Sequence, residues 1–211
     1  MIDPNDFVIT RKRKKYKFAK FANSPICFEL DEWKKIPVDV VEIGAGTGQF
    51  SVELAARNPD KIYAAVDVKA DRLQKGAYEA AERELKNIYF IRARADQLPE
   101  LFASQSLESV WITFPDPFPK QRSAGRRLTH PTYLKTYSTL LKSDGALHLK
   151  HDSRDFFYWS LEQLVAQSWH IYELTFDLHE SELADNYKIM TPYEKRWISE
   201  GFTTNFVKAY K

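Results

Sequence analysis

The chain has 211 residues, 44% of them hydrophobic and 28% charged, which is typical of one soluble globular domain with a sizeable core. No apolar run reaches the length of a membrane span, and no apolar segment follows the charged N-terminus as a secretory signal would require, so the sequence predicts a cytoplasmic protein. The single cysteine, Cys27, excludes an intramolecular disulfide and a multi-cysteine zinc site, and the histidines show no metal-ligand spacing.

Positive charge is concentrated in two segments, although the formal net charge is only +2. Residues 11–17 carry six Lys or Arg side chains, and residues 120–127 carry four. Basic runs of this density often bind polyanions, and nearly as often they are solvated tails. We interpret residues 1–37 as a basic N-terminal arm and lid that precedes the main domain.

From residue 38 onward, short apolar runs alternate with helical segments. Strands are predicted at residues 38–43, 62–68, 88–93, 108–113, 146–150, 171–176 and 202–210. Helices are predicted at residues 50–56, 71–85, 133–141 and 155–167, and a loop and helix at residues 177–201 cap the site. The alternation predicts an α/β fold with a doubly wound, mostly parallel seven-stranded sheet.

A glycine-rich turn lies between the first predicted strand and its helix. Its pattern is E-x-G-x-G-x-G, with Glu42 followed by Gly44, Gly46 and Gly48, and such glycines let the backbone approach a ligand closely. A dinucleotide fingerprint, G-x-G-x-x-G, would need its third glycine at the position of Gln49, so the spacing disfavours NAD. The pattern matches the first motif of S-adenosyl-L-methionine (AdoMet)-dependent methyltransferases.

Two further carboxylates follow the next two predicted strands. Asp67 ends the second strand, where a carboxylate can accept hydrogen bonds from both ribose hydroxyls of an adenosine. Asp96 follows the third strand and is a candidate acceptor for an adenine amine. Helix capping or turn formation at strand ends is the alternative interpretation of both residues.

A loop with three prolines follows the fourth predicted strand, in the segment Phe114-Pro115-Asp116-Pro117-Phe118-Pro119-Lys120. Proline fixes the backbone and removes amide donors, so this segment is a stiff loop that presents Asp116 at a strand's carboxyl end. A carboxylate there can accept N–H groups of a base, while Lys120, Arg126 and Arg127 suit phosphates. A surface turn with solvated charges is the alternative.

The chain resembles the bacterial tRNA (guanine-N7-)-methyltransferase family (TrmB) in several separated motifs. The likeness runs from about residue 38 to the C-terminus, and it includes the glycine turn, the proline loop with its arginines, Lys150-His151-Asp152-Ser153, and Thr191-Pro192-Tyr193-Glu194-Lys195-Arg196-Trp197. The resemblance implies a Rossmann-like class I methyltransferase domain at residues 38–211, AdoMet as cofactor, tRNA as partner, no metal, and a monomer or homodimer without a second kind of subunit.

The resemblance also implies roles for individual residues. Glu42, Asp67, Asp96 and Asp116 would line the AdoMet site together with the three glycines, with Asp116 also at the reacting centre. The residues that would hold the target nucleotide are Lys120, Asp152, Thr191, Tyr193 and Glu194. The chain departs from the usual family pattern at several positions, among them Phe118 in place of Trp, Asp67 in place of Glu, and His151 and Ser153 in place of Thr and Asn.

The predicted reaction is transfer of a methyl group to guanine N7 in tRNA, at position 46 of the variable loop for this family. N7 carries a lone pair and no proton, so alignment of the reactants should dominate catalysis. Three alternatives stay open. They are an amino-group methyltransferase, a NAD-dependent oxidoreductase and a non-catalytic RNA-binding module. The first is considered because Asp116-Pro117-Phe118-Pro119 is similar to the D-P-P-aromatic loop of amino-group methyltransferases.

Overall fold

The structure, a computed structural model, describes residues 1–9 and 11–211. It divides into two compact units, Met1–Leu101 and Phe102–Lys211, and each unit contains four strands. From the sequence we placed a boundary after residue 37, between a basic arm and the main domain. That boundary was based on expected function, and it stays a prediction. In the part of the chain that the structure describes, no helix combines the length and the apolar character that a membrane span requires.

The first unit is a parallel sheet with helices. Its strands are β1 (Cys27–Glu29), β2 (Val40–Ile43), β3 (Tyr63–Asp67) and β4 (Ile88–Arg92), and its helices are α1 (Lys12–Ala22), α2 (Gln49–Arg57), α3 (Ala70–Glu82) and α4 (Leu98–Leu101). The strand order is β1-β4-β3-β2, with Val41 opposite Ala64 and Asp67 opposite Arg92. Helix α3 buries one face, because its small and apolar residues recur every three or four positions.

The second unit has the strand order β5-β6-β8-β7. Its strands are β5 (Leu107–Thr113), β6 (Leu141–His151), β7 (His170–Thr175) and β8 (Asn205–Tyr210), and its helices are α5 (Pro131–Leu140), α6 (Arg154–Ala166) and α7 (Pro192–Ser199). Strands β5 and β6 run parallel, whereas β8 pairs antiparallel with both β6 and β7. The register sets Thr113 opposite Lys150 and His151 opposite Asn205, so β5 and β6 end together.

The observed strands confirm the predicted alternation, but the predicted count of seven is one short. The additional strand is β1, which has three residues and pairs with β4 in the region that we interpreted as a lid. A strand of three residues is too short to establish an alternating pattern, so no periodicity could reveal it in advance. The mixed, mostly parallel arrangement with flanking helices agrees with a Rossmann-like α/β fold.

Candidate functional site

The glycine turn, residues 44–48, follows β2 and leads into α2. Its three glycines have φ angles of 71°, 59° and 71°, in the left-handed region that other residues rarely adopt. The amide of Gly46 donates to Asp67 Oδ2 at 2.8 Å, so the turn is fastened to the end of β3. A Cβ at Gly46 would meet no atom within 4 Å, so the turn is open on that side.

The other side of the turn is closely packed. A Cβ at Gly48 would lie 2.7 Å from the Phe90 ring, and a Cβ at Gly76 would lie 2.2 Å from the carbonyl oxygen of Thr47. Gly76 therefore lets α3 approach the turn, a role that our sequence analysis missed. The available signal was a lone glycine inside a strongly helical pattern, which often marks a packing requirement.

Asp67 is the carboxylate that organises this turn. Besides Gly46, the amide of Lys69 donates to its Oδ1 at 2.8 Å. Burial raises the pKa of Asp67, and the two backbone donors oppose that rise. Each carboxylate oxygen has two lone pairs, so the Asp67 carboxylate can accept further hydrogen bonds from hydroxyl groups such as those of a ribose.

The other two predicted carboxylates of the first unit differ in their surroundings. Glu42 is 2% exposed, and its Oε2 accepts from the Ser51 hydroxyl at 2.6 Å and the Ser51 amide at 3.3 Å. It thus ties the end of β2 to the first turn of α2. Asp96 is exposed and accepts two bonds from Arg94, at 2.9 and 2.7 Å, which lower the pKa of its carboxyl group.

In the second unit the proline loop, residues 114–119, contains two aromatic residues with a strained backbone. Phe114 has φ of 48° and Phe118 has φ of 40°. Bulky side chains rarely occupy this region, and such strain persists only where the surroundings hold it. The carboxylate of Asp116 lies between them and is exposed.

Side chains hold the loop, because its prolines supply no amide donors. His151 Nδ1 accepts from the Ser153 amide at 2.8 Å, so the ring proton sits on Nε2 and donates to the Pro115 carbonyl at 3.0 Å. Burial lowers the pKa of His151, which favours this neutral ring. His151 thus links the residue before Asp116 to the residues beside Asp152.

The two neighbouring arginines have different surroundings. Arg127 is 7% exposed, donates to the carbonyls of Pro117 at 3.1 Å and Phe118 at 3.0 Å, and lies over the Trp159 ring at 4.4 Å. Arg126 is exposed, and its guanidinium lies 4.6 Å from the centre of the Phe118 ring. Lys120 is exposed as well. Arg126 and Lys120 are thus accessible to a phosphate, whereas Arg127 holds the loop.

Asp152 and Tyr193 come together beside the start of the proline loop. The Tyr193 hydroxyl donates to Asp152 Oδ2 over 3.4 Å, and its ring packs edge-on against Phe114 with the ring centres 5.4 Å apart. Tyr193 is also 47% exposed, so part of its ring is available to a ligand. The structure therefore groups two of the predicted nucleotide-binding residues.

Glu194 is completely buried and holds a polar cluster. Its Oε2 accepts from Lys150 Nζ at 2.9 Å, while Oε1 lies 2.9 Å from His179 Nε2 and accepts from the Thr204 hydroxyl at 3.1 Å. Thr191 caps α7, because its hydroxyl accepts from the Glu194 amide at 3.2 Å. Our sequence analysis missed His179 and Thr204, since nothing in their local sequence sets them apart, and it named Lys150 only as part of a shared motif, without a role.

Among the described residues, no group of three or more His, Cys, Asp or Glu side chains could hold a metal ion. The roles that we predicted for Glu42, Asp67, Asp96, Asp116, Lys120, Asp152 and the α7 residues stay predictions.

Comparison with known proteins identifies close relatives. Residues 37–206 match the family model described as "Putative methyltransferase". A tRNA (guanine-N(7)-)-methyltransferase of Brevibacillus brevis is 38% identical over 190 residues, which is 87% of this chain and 87% of that relative. The Bacteroides thetaiotaomicron protein of the same name is 32% identical over 93% of this chain and 85% of its own length.

Solved structures are similar in fold. The 16S rRNA methyltransferase KamB superimposes with a TM-score of 0.63 at 15% identity, over 84% of this chain and 89% of that chain. The precorrin-6y C5,15-methyltransferase of Geobacter metallireducens gives a TM-score of 0.55 at 15% identity, over 97% of this chain and 90% of that chain. Likeness at this identity concerns the fold alone, because one fold serves many substrates.

Proposed function

The chain belongs to the tRNA (guanine-N(7)-)-methyltransferase family, and we propose that the guanine it methylates is nucleotide 46, in the variable loop of tRNA. It is an AdoMet-dependent enzyme whose product is N7-methylguanine in tRNA. Within the structure, the observation that supports this chemistry most directly is the proline loop, which presents the exposed Asp116 on a strained backbone held by His151 and Arg127.

The residues of the first unit fit AdoMet. The glycine turn is open above Gly46 and closely packed on the side of Gly76, and the Asp67 carboxylate beside it keeps lone pairs for ribose hydroxyls. We propose that Gly44, Gly46 and Gly48 hold the amino-acid half of the cofactor and that Asp67 holds its ribose. Glu42 orients α2 through Ser51. Asp96, whose carboxylate keeps lone pairs beyond its two bonds from Arg94, accepts from the adenine amine.

AdoMet, when bound, supplies an electrophilic methyl group on a sulfonium sulfur. Guanine N7 has a lone pair and no proton, so the enzyme's residues need not remove one. Their task is alignment, which contributes up to about 7–11 kcal/mol in well-oriented reactions. We propose that Asp116 and Asp152 accept from the N1–H and amino group of the guanine and that their charge stabilises the ring as it becomes cationic. Adenine has no proton on N1 and carries its amino group at C6 rather than C2, so it cannot make the same pair of bonds and is rejected.

The remaining predicted residues support the nucleotide indirectly. Glu194 is buried, with both oxygens accepting bonds from protein groups, so we propose that it fixes α7 and thereby sets the position of Tyr193. Thr191 contributes by capping the same helix. Tyr193 offers an exposed ring face on which an unstacked base can rest. Lys120 and Arg126 are accessible cations for the neighbouring phosphates.

The test is methyl transfer from labelled AdoMet to unmodified tRNA transcripts that carry guanine or adenine at position 46. We expect label in the guanine transcript alone, and strand scission at that nucleotide under chemistry specific for N7-methylguanine. Label elsewhere in the guanine transcript would refute position 46 but keep the enzyme class. Label without scission would indicate an amino-group methyltransferase instead.

We also propose that the enzyme works in the cytoplasm and without a second kind of subunit, as the family resemblance implies. Whether it is a monomer or a homodimer can be measured by light scattering of the purified, active protein.

A further inference from the structure

Helix α1 presents a dense positive surface. Seven cationic side chains lie within residues 11–20, namely Arg11, Lys12, Arg13, Lys14, Lys15, Lys17 and Lys20, and α1 contains no acidic residue. All of them except Lys15 are exposed. We refer to these seven side chains as the α1 basic surface.

This surface is held in place by apolar contacts. Ala19 and Phe21 are buried, and α1 packs against α3 and β1. The chain before it folds back along the helix. Phe7 packs against Phe18 with ring centres 5.8 Å apart, and the backbone of Ile2 makes two hydrogen bonds with the Asn23 side chain, at 2.7 and 2.9 Å. The basic segment is therefore a packed helix with a defined charged face.

The protein does not neutralise these charges. In the part of the chain that the structure describes, none of the seven forms an ion pair with a carboxylate, whereas arginines elsewhere in the same unit do so at 2.7–3.1 Å. The paired arginines are Arg57, Arg83, Arg92 and Arg94. Lys14 and Lys20 lie over the rings of Phe18 and Tyr78, which leaves their charge in place. The surface is thus a concentration of uncompensated positive charge.

The position of the charges also opposes the helix dipole. Lys12, Arg13 and Lys14 occupy the first turn, and Arg11 before them provides no side-chain cap. Cations are disfavoured at a helix N-terminus, where the unpaired N–H groups already carry partial positive charge. Helix stability therefore does not explain this arrangement. A bound polyanion would neutralise the side chains and also interact favourably with the positive end of the helix.

We propose that the α1 basic surface, which belongs to the first unit, binds the sugar-phosphate backbone of the tRNA substrate. This inference rests on the proposed function for the identity of the RNA. The helix is about 16 Å long, enough to contact several phosphates. A membrane surface is disfavoured, because amphipathic helices bind lipid through an apolar face, and here Ala19 and Phe21 are buried within the protein.

The test compares two variants that lose the same charge. Lys12→Gln/Arg13→Gln/Lys17→Gln removes three exposed cations from α1, and glutamine preserves helix propensity. Lys34→Gln/Lys86→Gln/Lys135→Gln removes three exposed lysines elsewhere. Binding of unmodified tRNA is measured from low to moderate salt for the full-length wild type and both variants. Thermal unfolding and AdoMet affinity provide the controls for folding.

We expect the α1 variant to bind tRNA at least tenfold more weakly, with the loss appearing in KM for tRNA. Its slope of log affinity against log salt should fall by about 0.7–0.9 for each phosphate contact removed. The control variant should differ little from wild type. The proposal would be overturned if the α1 variant had the affinity and slope of the control. It would also be overturned if the α1 variant bound tRNA normally but lost a binding to anionic phospholipid vesicles that the wild type shows. A wild-type enzyme that methylates no tRNA would instead overturn the proposed function.

Discussion

Asp116 is an exposed carboxylate on a loop in which alternate residues lack an amide donor. Its neighbours Pro115, Pro117 and Pro119 have no amide protons, so the loop's carbonyls take their donors from His151 and Arg127. Two aromatic residues with positive φ complete the constraint. A carboxylate held in this way needs little reorganisation when a base binds, which is the condition for electrostatic stabilisation of a developing cation.

Replacing Asp116 with Ala tests this residue directly. We expect methyl transfer to tRNA to fall by about 100-fold or more, the usual effect of removing one preorganised electrostatic group. The thermal midpoint should change little, because the side chain is exposed. Single-turnover rates measure the first effect and calorimetry the second, with Asp144→Ala, at another exposed aspartate, as the matched control. Normal turnover in the Asp116 variant would refute its catalytic role.

Arg126 and Arg127 are adjacent in sequence but differ in surroundings, so alanine at each should have a different effect. Arg126→Ala removes an exposed cation and should weaken tRNA binding without loss of stability. The slope of log affinity against log salt should become about 0.7–0.9 less steep. Arg127→Ala removes the donors to two loop carbonyls and should lower the free energy of unfolding by about 1–3 kcal/mol. Urea unfolding and salt-titrated binding of both variants provide the comparison. A lower salt slope with unchanged stability in Arg127→Ala would contradict the structural role.

These residues indicate what sequence alone could predict. Prolines have local consequences, so the stiff loop and the exposure of Asp116 followed from the sequence. Nothing local distinguishes Arg127 from Arg126, because Arg127 turns toward Trp159, a partner on α6. The pattern from Thr191 to Glu194 similarly fits a simple helix cap, yet Glu194 pairs with Lys150 from β6. Local conformation was predictable, whereas side-chain partners distant in sequence were not.

Among the secondary-structure elements, α3 supports the glycine turn through a single missing side chain. Glycine inside a helix is about 1 kcal/mol less favourable than alanine, so helix propensity alone predicts that Gly76→Ala would stabilise the protein. A Cβ at that position, however, would lie 2.2 Å from the backbone oxygen of Thr47. A clash with backbone cannot be relieved by a rotamer change, so we expect either α3 or the turn to shift.

We therefore expect Gly76→Ala to weaken AdoMet binding and to lower stability. Gly125→Ala is the matched control, because a Cβ there meets nothing within 4 Å. Calorimetric titration with AdoMet and urea unfolding measure the two effects. A Gly76 variant that is more stable than wild type and binds AdoMet normally would mean that helix propensity outweighs the clash.

The longer elements were predictable because their patterns repeat. Strands β2, β3, β4 and β5 begin and end within a few residues of their predicted bounds, since each has four or more residues, most of them buried, with polar or turn residues at its ends. Strand β1 depends instead on pairing with β4. Helix α1 was interpreted as part of an arm, because its basic residues conceal the few apolar contacts that pack it.

Across the whole molecule, buried histidines should make stability sensitive to acid. His148 stacks on Trp111 with ring centres 4.2 Å apart, and burial, reinforced by the charge of Lys208, lowers the pKa of His148 to about 3. Burial also lowers the pKa of His151. An unfolded histidine has a pKa of about 6.5. As the pH falls below that value, the unfolded chain binds protons that the folded chain does not, so the free energy of unfolding falls.

At pH 5 the expected loss from His148 alone is about 2 kcal/mol relative to pH 7. His148→Phe keeps an aromatic ring beside Trp111 and removes the titrating group, so the urea midpoint of that variant should depend less on pH between 7 and 5. His170→Gln, at an exposed histidine, should titrate like wild type. An equal acid dependence in all three proteins would assign the loss to other groups. Protonation of His151 adds a proton at Nδ1, which then no longer accepts from the Ser153 amide. Because Nε2 of the same ring donates to the loop that carries Asp116, this change should disturb that loop as well as the fold, and methyl transfer should then decline before global unfolding is complete.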